Sequence, residues 1–138
     1  MNNMKYLLII LLLLLSNKEI NEVNTITDIA IYYEGDMDKP FPKIIFCKSC
    51  NDNIDFRIYQ FKMDDDFFKT VNIFLLSSKH TEKKEGNTVL SVTINNNGKR
   101  FLKKNDASSL IKIIEPFVYS KNSKLLNSQL NKYDKILN

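Results

Sequence analysis

The sequence predicts a two-layer α+β sandwich, in which an antiparallel sheet of four or five strands is covered by helices. Two observations support this fold class. Segments with an apolar residue at every second position, the period of a half-buried strand, are interspersed with segments whose apolar residues recur every three or four positions, the period of an amphipathic helix. Short turns join the strand segments, so neighbouring strands are expected to pair antiparallel. The predicted order along the chain is β-β-β-α-β-β-α-α.

The amino-terminal segment is predicted to be a secretory signal peptide, residues 1–16. Lys5 gives it a positive start, and the uninterrupted apolar run 6–15 is about half the roughly 20 residues that a membrane-spanning helix needs. Ser16 suits the position before a cleavage site, although Leu14 is larger than the residue usually found two places earlier. The alternative is an uncleaved membrane anchor.

The remainder of the chain is long enough for one domain only. Residues 17–25 are polar and are expected to form a flexible amino-terminal segment, followed by a single small α+β domain at 26–138. No internal repeat or linker divides this domain.

Three strands are predicted in the first half of the domain, at 26–33, 42–47 and 54–61. Gly35 and Pro40 mark a loop between the first two, because both residues interrupt regular structure. In the first strand one face carries Ile29, Ile31 and Tyr33. In the third strand one face carries Ile54, Phe56 and Ile58.

A helix and a β-hairpin follow. Asp64 is a plausible N-cap, since its carboxylate can accept hydrogen bonds from the free N–H groups of a first helical turn. The next strand, 88–95, ends at Asn95-Asn96-Asn97-Gly98, where an Asn-Gly pair tolerates the positive φ angles of a tight hairpin. The returning strand is 99–104. The helix that follows Asp64 has an apolar stripe made of Phe67, Val71, Phe74 and Leu75.

Two helices are predicted to complete the fold. Asp106 is expected to cap the first of them, and Pro116 is expected to kink or stop it near Glu115, because proline lacks an N–H and clashes one turn back. The last helix, 123–137, is amphipathic. Its apolar stripe is Leu126, Leu130, Tyr133 and Leu137. This stripe is interpreted first as cover for the core, and alternatively as a partner-binding helix.

Cys47 and Cys50 form the one motif with distinctive chemistry. In a thiol–disulfide oxidoreductase the CxxC pair begins a helix, whose dipole lowers the pKa of the first thiol. Here a polar turn and a strand are expected to follow instead. In an exported chain with two cysteines, a structural disulfide is the simplest interpretation. A redox-active pair, a metal site and free thiols remain as alternatives.

The other reactive residues do not form a recognisable catalytic pattern. His80, the single histidine, lies in a polar, lysine-rich loop, so a catalytic triad is not expected. Glu34, Asp36 and Asp38 alternate as in a calcium loop, but the glycine and terminal acid of that motif are missing. No catalytic, cofactor-binding or metal-binding residue is therefore predicted. Of the carboxylates, Asp64-Asp65-Asp66 is assigned to helix capping and not to a cation.

Composition excludes further classes of function. The net charge of +4 comes almost wholly from lysine, with Arg57 and Arg100 as the two arginines, so nucleic-acid binding is not expected. The hypothesis is an exported, periplasmic or extracellular, non-enzymatic protein that acts through a protein-binding surface, for example an immunity protein or an inhibitor of an envelope enzyme. The alternatives are a small enzyme or redox protein using Cys47 and Cys50, and an accessory protein held at the membrane by a retained amino-terminal helix.

Overall fold

The computed structural model describes residues 2–35 and 41–137, with the side chains of 2 and 14–24 left out of the description. It confirms the α+β class. The elements in chain order are α1 (Asn2–Thr25), β1 (Asp28–Tyr33), β2 (Lys43–Cys47), β3 (Asn53–Ile54), β4 (Ile58–Lys62), α2 (Asp65–Ser77), β5 (Thr88–Ile94), β6 (Arg100–Lys103), α3 (Lys104–Ser120) and α4 (Lys124–Leu137).

The sheet is larger than predicted and mixed. Its six strands lie in the order β3-β4-β2-β1-β5-β6. Neighbouring strands are antiparallel except β2 and β4, which run parallel with Phe46 opposite Phe61. The prediction of a four- or five-stranded antiparallel sheet is therefore wrong.

The mixed topology arises because the segment predicted as one strand, 54–61, reverses direction within itself. Phe56 and Arg57 form a two-residue loop between β3 and β4, and the Asp55 N–H donates to the Ile58 carbonyl across it, at 3.0 Å. The Asp55 carboxylate fixes the reversal by accepting from the Phe56 N–H at 2.6 Å. β4 consequently inserts between β2 and β3 and runs parallel to β2.

One face of the sheet, called here the inner face, packs against the helices and forms the core. Alternate residues of the five longer strands are buried there, as the two-residue period of a strand requires. The buried inner-face residues are Ile29, Ile31, Ile44, Phe46, Phe61, Leu90, Val92 and Leu102. The helices bury against them Phe67, Phe68, Val71 and Leu75 of α2, Leu110, Ile111, Ile114 and Val118 of α3, and the α4 stripe. Each such side chain stabilises the fold by roughly 1.5–3 kcal/mol.

The helix ends agree with the sequence in α2 and differ in α3. Asp64 caps α2, and its Oδ1 accepts from the Phe67 N–H at 3.0 Å. Asp106 does not cap α3, because β6 continues directly into that helix and Lys103 stands at the N-cap position without a side-chain bond. Asp106 instead lies in the first turn.

Pro116 does not stop α3, which continues to Ser120. A proline inside a helix costs about 3 kcal/mol or more. Burial of Val118 beyond it is worth roughly 1.5–3 kcal/mol by itself, and Phe117 packs against the core as well. The apolar stripe on both sides of the proline therefore outweighs its cost. Of the predicted kink or stop near Glu115, the stop is wrong, and the kink stays a prediction.

The β5–β6 hairpin turns at Asn95 and Asn96, two residues before the Asn97-Gly98 pair that the sequence suggested. Asn95 and Asn96 have φ angles of 54° and 56°, the positive values that both central residues of a type I′ turn require, whereas Gly98 has none. The turn is closed by the Asn97 N–H, which donates to the Ile94 carbonyl at 3.0 Å. The side chain of Asn95 also joins this turn to the end of α1, since its Oδ1 accepts from the Thr27 N–H at 2.7 Å.

Helix α1 is continuous from Asn2 to Thr25, so the segment 17–25, expected to be flexible, is helical. The large apolar side chains between Met4 and Leu13 are 53–79 % exposed and contribute nothing to the core. The helix contacts the domain at α2. Among the described residues, α1 included, no helix combines the length and the hydropathy needed to cross a membrane.

Candidate functional site

Cys47 and Cys50 lie at disulfide distance and are bridged, at the end of β2. Cys47 is buried and Cys50 half-buried. Asn51 and Asp52 follow, and then β3, so no helix begins directly after the pair, as it does in a thiol–disulfide oxidoreductase. This local structure is the one expected of a structural disulfide.

A shallow depression of about 400 Å³ opens beside Cys50, lined also by Asp52, Lys62 and Lys121. Asp52 and Lys121 are already paired. The Lys121 ammonium donates to Asp52 Oδ1 at 3.2 Å and to the Lys62 carbonyl at 2.6 Å, and the Lys62 N–H donates to the same Asp52 oxygen at 2.8 Å. These bonds hold the end of α3 against β4, so the depression is a structural junction.

The stripe of α4 faces the core. Leu126, Leu130, Tyr133 and Leu137 are buried, and the Tyr133 hydroxyl donates to the Pro42 carbonyl at 3.1 Å. Burial raises the pKa of Tyr133 well above its ordinary value, against the smaller effect of a hydrogen bond with the Tyr33 backbone. The residues singled out as a possible partner-binding helix thus pack inside the monomer.

The other predicted residues do not converge on a site. His80 is exposed in the loop after α2. Asp65 pairs with Lys48 at 3.5 Å, and Asp64 serves as the cap of α2. Asp36 and Asp38 lie outside the described residues. Within the described parts of the chain, no group of three His, Cys, Asp or Glu side chains is placed to hold a metal ion.

The surface with the most distinctive composition is the second face of the sheet, called here the outer face. The apolar stripes of α2, α3 and α4 are buried on the inner side, whereas Tyr32, Ile45 and Phe101 of the outer face are half-buried. A sheet face turned to water normally carries polar residues at such positions. Here the strand register aligns Tyr32 with Ser91 and Phe101 on one side, and with Lys43 and Ile58 on the other. Ile45 lies in the next row, beside Ala30.

A hydrogen-bonded carboxylate organises one end of the outer face. The side chain of Glu34, 9 % exposed, accepts from the Ser91 hydroxyl at 2.7 Å and from the Lys99 ammonium at 3.3 Å, and Lys84 lies 3.4 Å from its other oxygen. Burial acts to raise the pKa of Glu34, but the bonds from Ser91, Lys99 and Lys84 outweigh it and hold the pKa below its usual value. Glu34 is therefore ionised and fixed, and Lys99 also lies 5.9 Å from the centre of the Tyr32 ring.

A second exposed apolar group lies at the β3–β4 reversal, residues 54–58, which we call the hairpin tip. Phe56 is 84 % exposed, Ile54 53 % and Ile58 45 %. The Arg57 guanidinium lies 5.6 Å from the centre of the Phe56 ring, a cation–π distance. The sequence alone missed this feature because an unbroken strand was predicted over it, in which alternate residues would be buried.

Comparisons with protein-family models, with curated proteins and with solved structures return no match, so the function is argued from these surfaces alone.

Proposed function

We propose that the protein is exported with the help of residues 1–16 and works outside the cytoplasm as a non-enzymatic binding protein, whose contact surface is the outer face of the sheet. Immunity proteins and inhibitors of envelope or secreted enzymes are of this kind. The observation that carries the proposal is the composition of the outer face. Tyr32, Ile45, Ile58 and Phe101 occupy positions where a merely solvated sheet face carries polar side chains.

The arrangement of the outer face resembles the general anatomy of protein interfaces. Aromatic residues are enriched at the centre of such interfaces, and charged residues are displaced to the rim. Here Tyr32 and Phe101 flank the buried Ser91, and Lys43 and Lys99 lie around them. Because Lys43 at this rim has no salt bridge among the described residues, whereas the ammonium group of Lys99 is paired with Glu34, an acidic partner surface is favoured beside Lys43.

The face is also rigid before it binds. Most of its residues belong to strands that are paired on both sides. The exception is edge strand β6, whose free edge is bridged by the pairing of Thr81 with Phe101. Hydrogen bonds from Ser91 and Lys99 to Glu34 fix side chains at one end. A surface that is already ordered loses less conformational entropy on association, which favours affinity.

Site-specific photo-crosslinking tests the contact surface. A photoreactive residue at Ile45, in the middle of the outer face, is expected to give one discrete and saturable crosslinked product in cells that export the chain. The same residue at Lys132, on the exposed side of α4, is the matched control and is expected to give none. Identical products from both positions, or a product at Ile45 that excess unlabelled protein does not suppress, contradict the proposal.

Export is tested separately by the mass of the processed chain. Loss of about 16 residues is expected for a cleaved signal. The exposure of the apolar side chains between Met4 and Leu13 supports this reading, because a segment outside the core can be removed without opening it. An intact amino terminus would instead favour the membrane-held accessory protein.

A redox function of Cys47 and Cys50 is the second candidate, supported by the depression into which Cys50 opens. A redox function predicts that replacing both cysteines by serine abolishes the redox activity, while the variant still binds its partner as the wild type does. The structural interpretation predicts that the same change lowers the stability of the fold, and that the molecules that remain folded keep their function.

A further inference from the structure

The hairpin tip presents Phe56 at the apex of a fixed reversal, with Ile54 and Ile58 beside it on opposite faces of the sheet, because Ile54 pairs with Tyr59 and Ile58 with Lys43. Its loop has only two residues, Phe56 and Arg57, and both its closing bonds are made by Asp55, one through the N–H and one through the carboxylate. The apex is therefore held by hydrogen bonds, and its exposure is a property of the folded chain. Phe56 is 84 % exposed, although the domain buries the aromatic rings of Phe46, Phe61 and other residues completely.

Cations lie directly behind this apolar apex. Arg57 is in the loop itself, and Lys43 pairs in register with Ile58 on the neighbouring strand. Among the described residues neither cation forms a salt bridge. The one acid of the tip, Asp55, has an oxygen engaged by the Phe56 N–H. The tip thus combines an apolar point with two cations free to meet an anionic surface.

The size and shape of the tip decide what it can bind. The three exposed side chains present together on the order of 300 Å² of apolar surface, spread over both faces of a narrow point, and so do not form the continuous patch of roughly 800 Å² that each partner buries in a stable protein–protein interface. A second copy of the chain that bound through its own tip would bury equally little surface, so the tip is not expected to form a stable dimer contact. A convex apolar point flanked by cations matches a lipid interface, where the apolar groups enter the acyl boundary and the cations remain among the headgroups.

We propose that the hairpin tip inserts into the interface of an anionic membrane and holds the exported domain there, with Phe56 as the inserted residue and Arg57 and Lys43 as the headgroup contacts. The proposal rests on export for the presence of such a membrane, and its Ile58 and Lys43 lie at the border of the outer face. It assigns to residues 54–58 a membrane contact distinct from helix α1.

The absence of tryptophan from the sequence allows a local test. In the full chain, Phe56→Trp places a single fluorophore at the tip, and Tyr119→Trp places the control fluorophore at an exposed position of α3. Each protein is mixed with vesicles of phosphatidylcholine and phosphatidylglycerol at about 7:3, a strongly anionic surface, and with vesicles of phosphatidylcholine alone.

The tip fluorophore is expected to respond to the anionic vesicles only. Emission of the Phe56→Trp variant should move to shorter wavelength and be quenched by brominated acyl chains, whereas emission of the Tyr119→Trp variant should stay unchanged. Because the fluorophore reports its own surroundings, binding of the vesicle by α1 does not mimic this result.

The charge contribution is tested in the same background. Arg57→Glu with Phe56→Trp reverses one charge at the surface, so the vesicle concentration for half-maximal change is expected to rise roughly thirtyfold. Unchanged emission of the Phe56→Trp variant on anionic vesicles overturns the proposal, as does equal quenching of the tip and control fluorophores.

Two outcomes separate this proposal from the proposed function. A photo-crosslink from position 56 to a protein, with a tip fluorophore that does not respond to vesicles, would assign the tip to a protein partner instead. An intact outer-face crosslink at Ile45 with the same unresponsive fluorophore would refute the membrane contact and leave the proposed function standing.

Discussion

Replacing Cys47 and Cys50 together by serine is expected to lower the free energy of unfolding by about 2 kcal/mol. The bridge joins residues three apart in sequence, so it closes one of the shortest possible loops. The loop-closure relation for about four residues gives an entropy of roughly 6 cal/mol/K, or about 2 kcal/mol at 25 °C. A bridge over a loop of about 100 residues would give more than twice this value.

The surroundings of Cys47 add little to this value. Its sulfur lies 3.4 Å from the Phe61 carbonyl oxygen, so the hydroxyl of a serine at this position finds an acceptor and is not buried without a partner. The serine variant therefore isolates loop closure better than an alanine variant, which would leave an apolar gap beside β4.

Urea unfolding followed by circular dichroism provides the measurement. The oxidised chain, the reduced chain and the double serine variant are compared at about pH 7. The last two are expected to coincide and to unfold at lower urea than the oxidised chain, with equal slopes. The reductant added to the variant is the control and should have no effect. Equal stability of the oxidised and reduced chains would refute the structural interpretation of the bridge.

Three further predictions concern other parts of the fold. Glu34→Gln is expected to destabilise the fold at about pH 7, because the depressed pKa of Glu34 stabilises the folded chain at pH values above the ordinary carboxyl pKa of about 4.3. The difference in unfolding free energy between the variant and the wild type should vanish as the pH falls through the folded-state pKa of Glu34. A difference that does not depend on pH would contradict this prediction. Asp64→Ala should cost about 1 kcal/mol in thermal unfolding by removing the α2 cap, whereas Asp66→Ala, the control, should cost less than half of that. Leu130→Ala should cost about 2–5 kcal/mol, and Lys132→Ala on the opposite side of α4 should be nearly neutral in the same assay; a Leu130 variant of normal stability that loses a partner would return α4 to the role of a binding helix.

The sequence predicted the α+β class and most of the elements because their apolar periods match the faces that are buried. β5 and α4 are examples, since Leu90 and Val92 in the strand and Leu126 and Leu130 in the helix all point into the core. The Asp64 cap was predictable for a local reason, because the acceptor and the N–H it binds are three residues apart.

The sheet order was not predictable from periods alone. Ile54, Phe56 and Ile58 alternate as they would in a straight strand, and the reversal at Phe56–Arg57 uses no glycine or proline. The bond that closes it is between backbone groups, from the Asp55 N–H to the Ile58 carbonyl, and Asp55 looks like an ordinary polar position in the sequence. Once the chain reverses there, β4 pairs with β2 in parallel, and the antiparallel expectation fails.

The candidate surfaces were missed for a related reason. The apolar period of a strand divides its residues between two faces of the sheet, but it does not say which face the helices cover. Tyr32 and Ile45 fall opposite the inner residues, and the sequence alone does not say that the buried helix stripes lie on the other side from them. The sequence leaves a binding role open for the α4 stripe because part of its cover, Phe41 and Pro42, comes from far earlier in the chain.

The strand order also governs how the chain can assemble as it emerges, amino terminus first, during synthesis. β1 lies in the middle of the sheet, and one of its neighbours, β2, follows closely along the chain, with Ile31 opposite Ile44. Its other neighbour, β5, comes much later in the sequence, with Ile31 opposite Val92. One edge of the central strand therefore stays unpaired until most of the domain has emerged, and non-local pairing of this kind is slow. During that interval the unpaired edge of β1 is open to pairing with other chains.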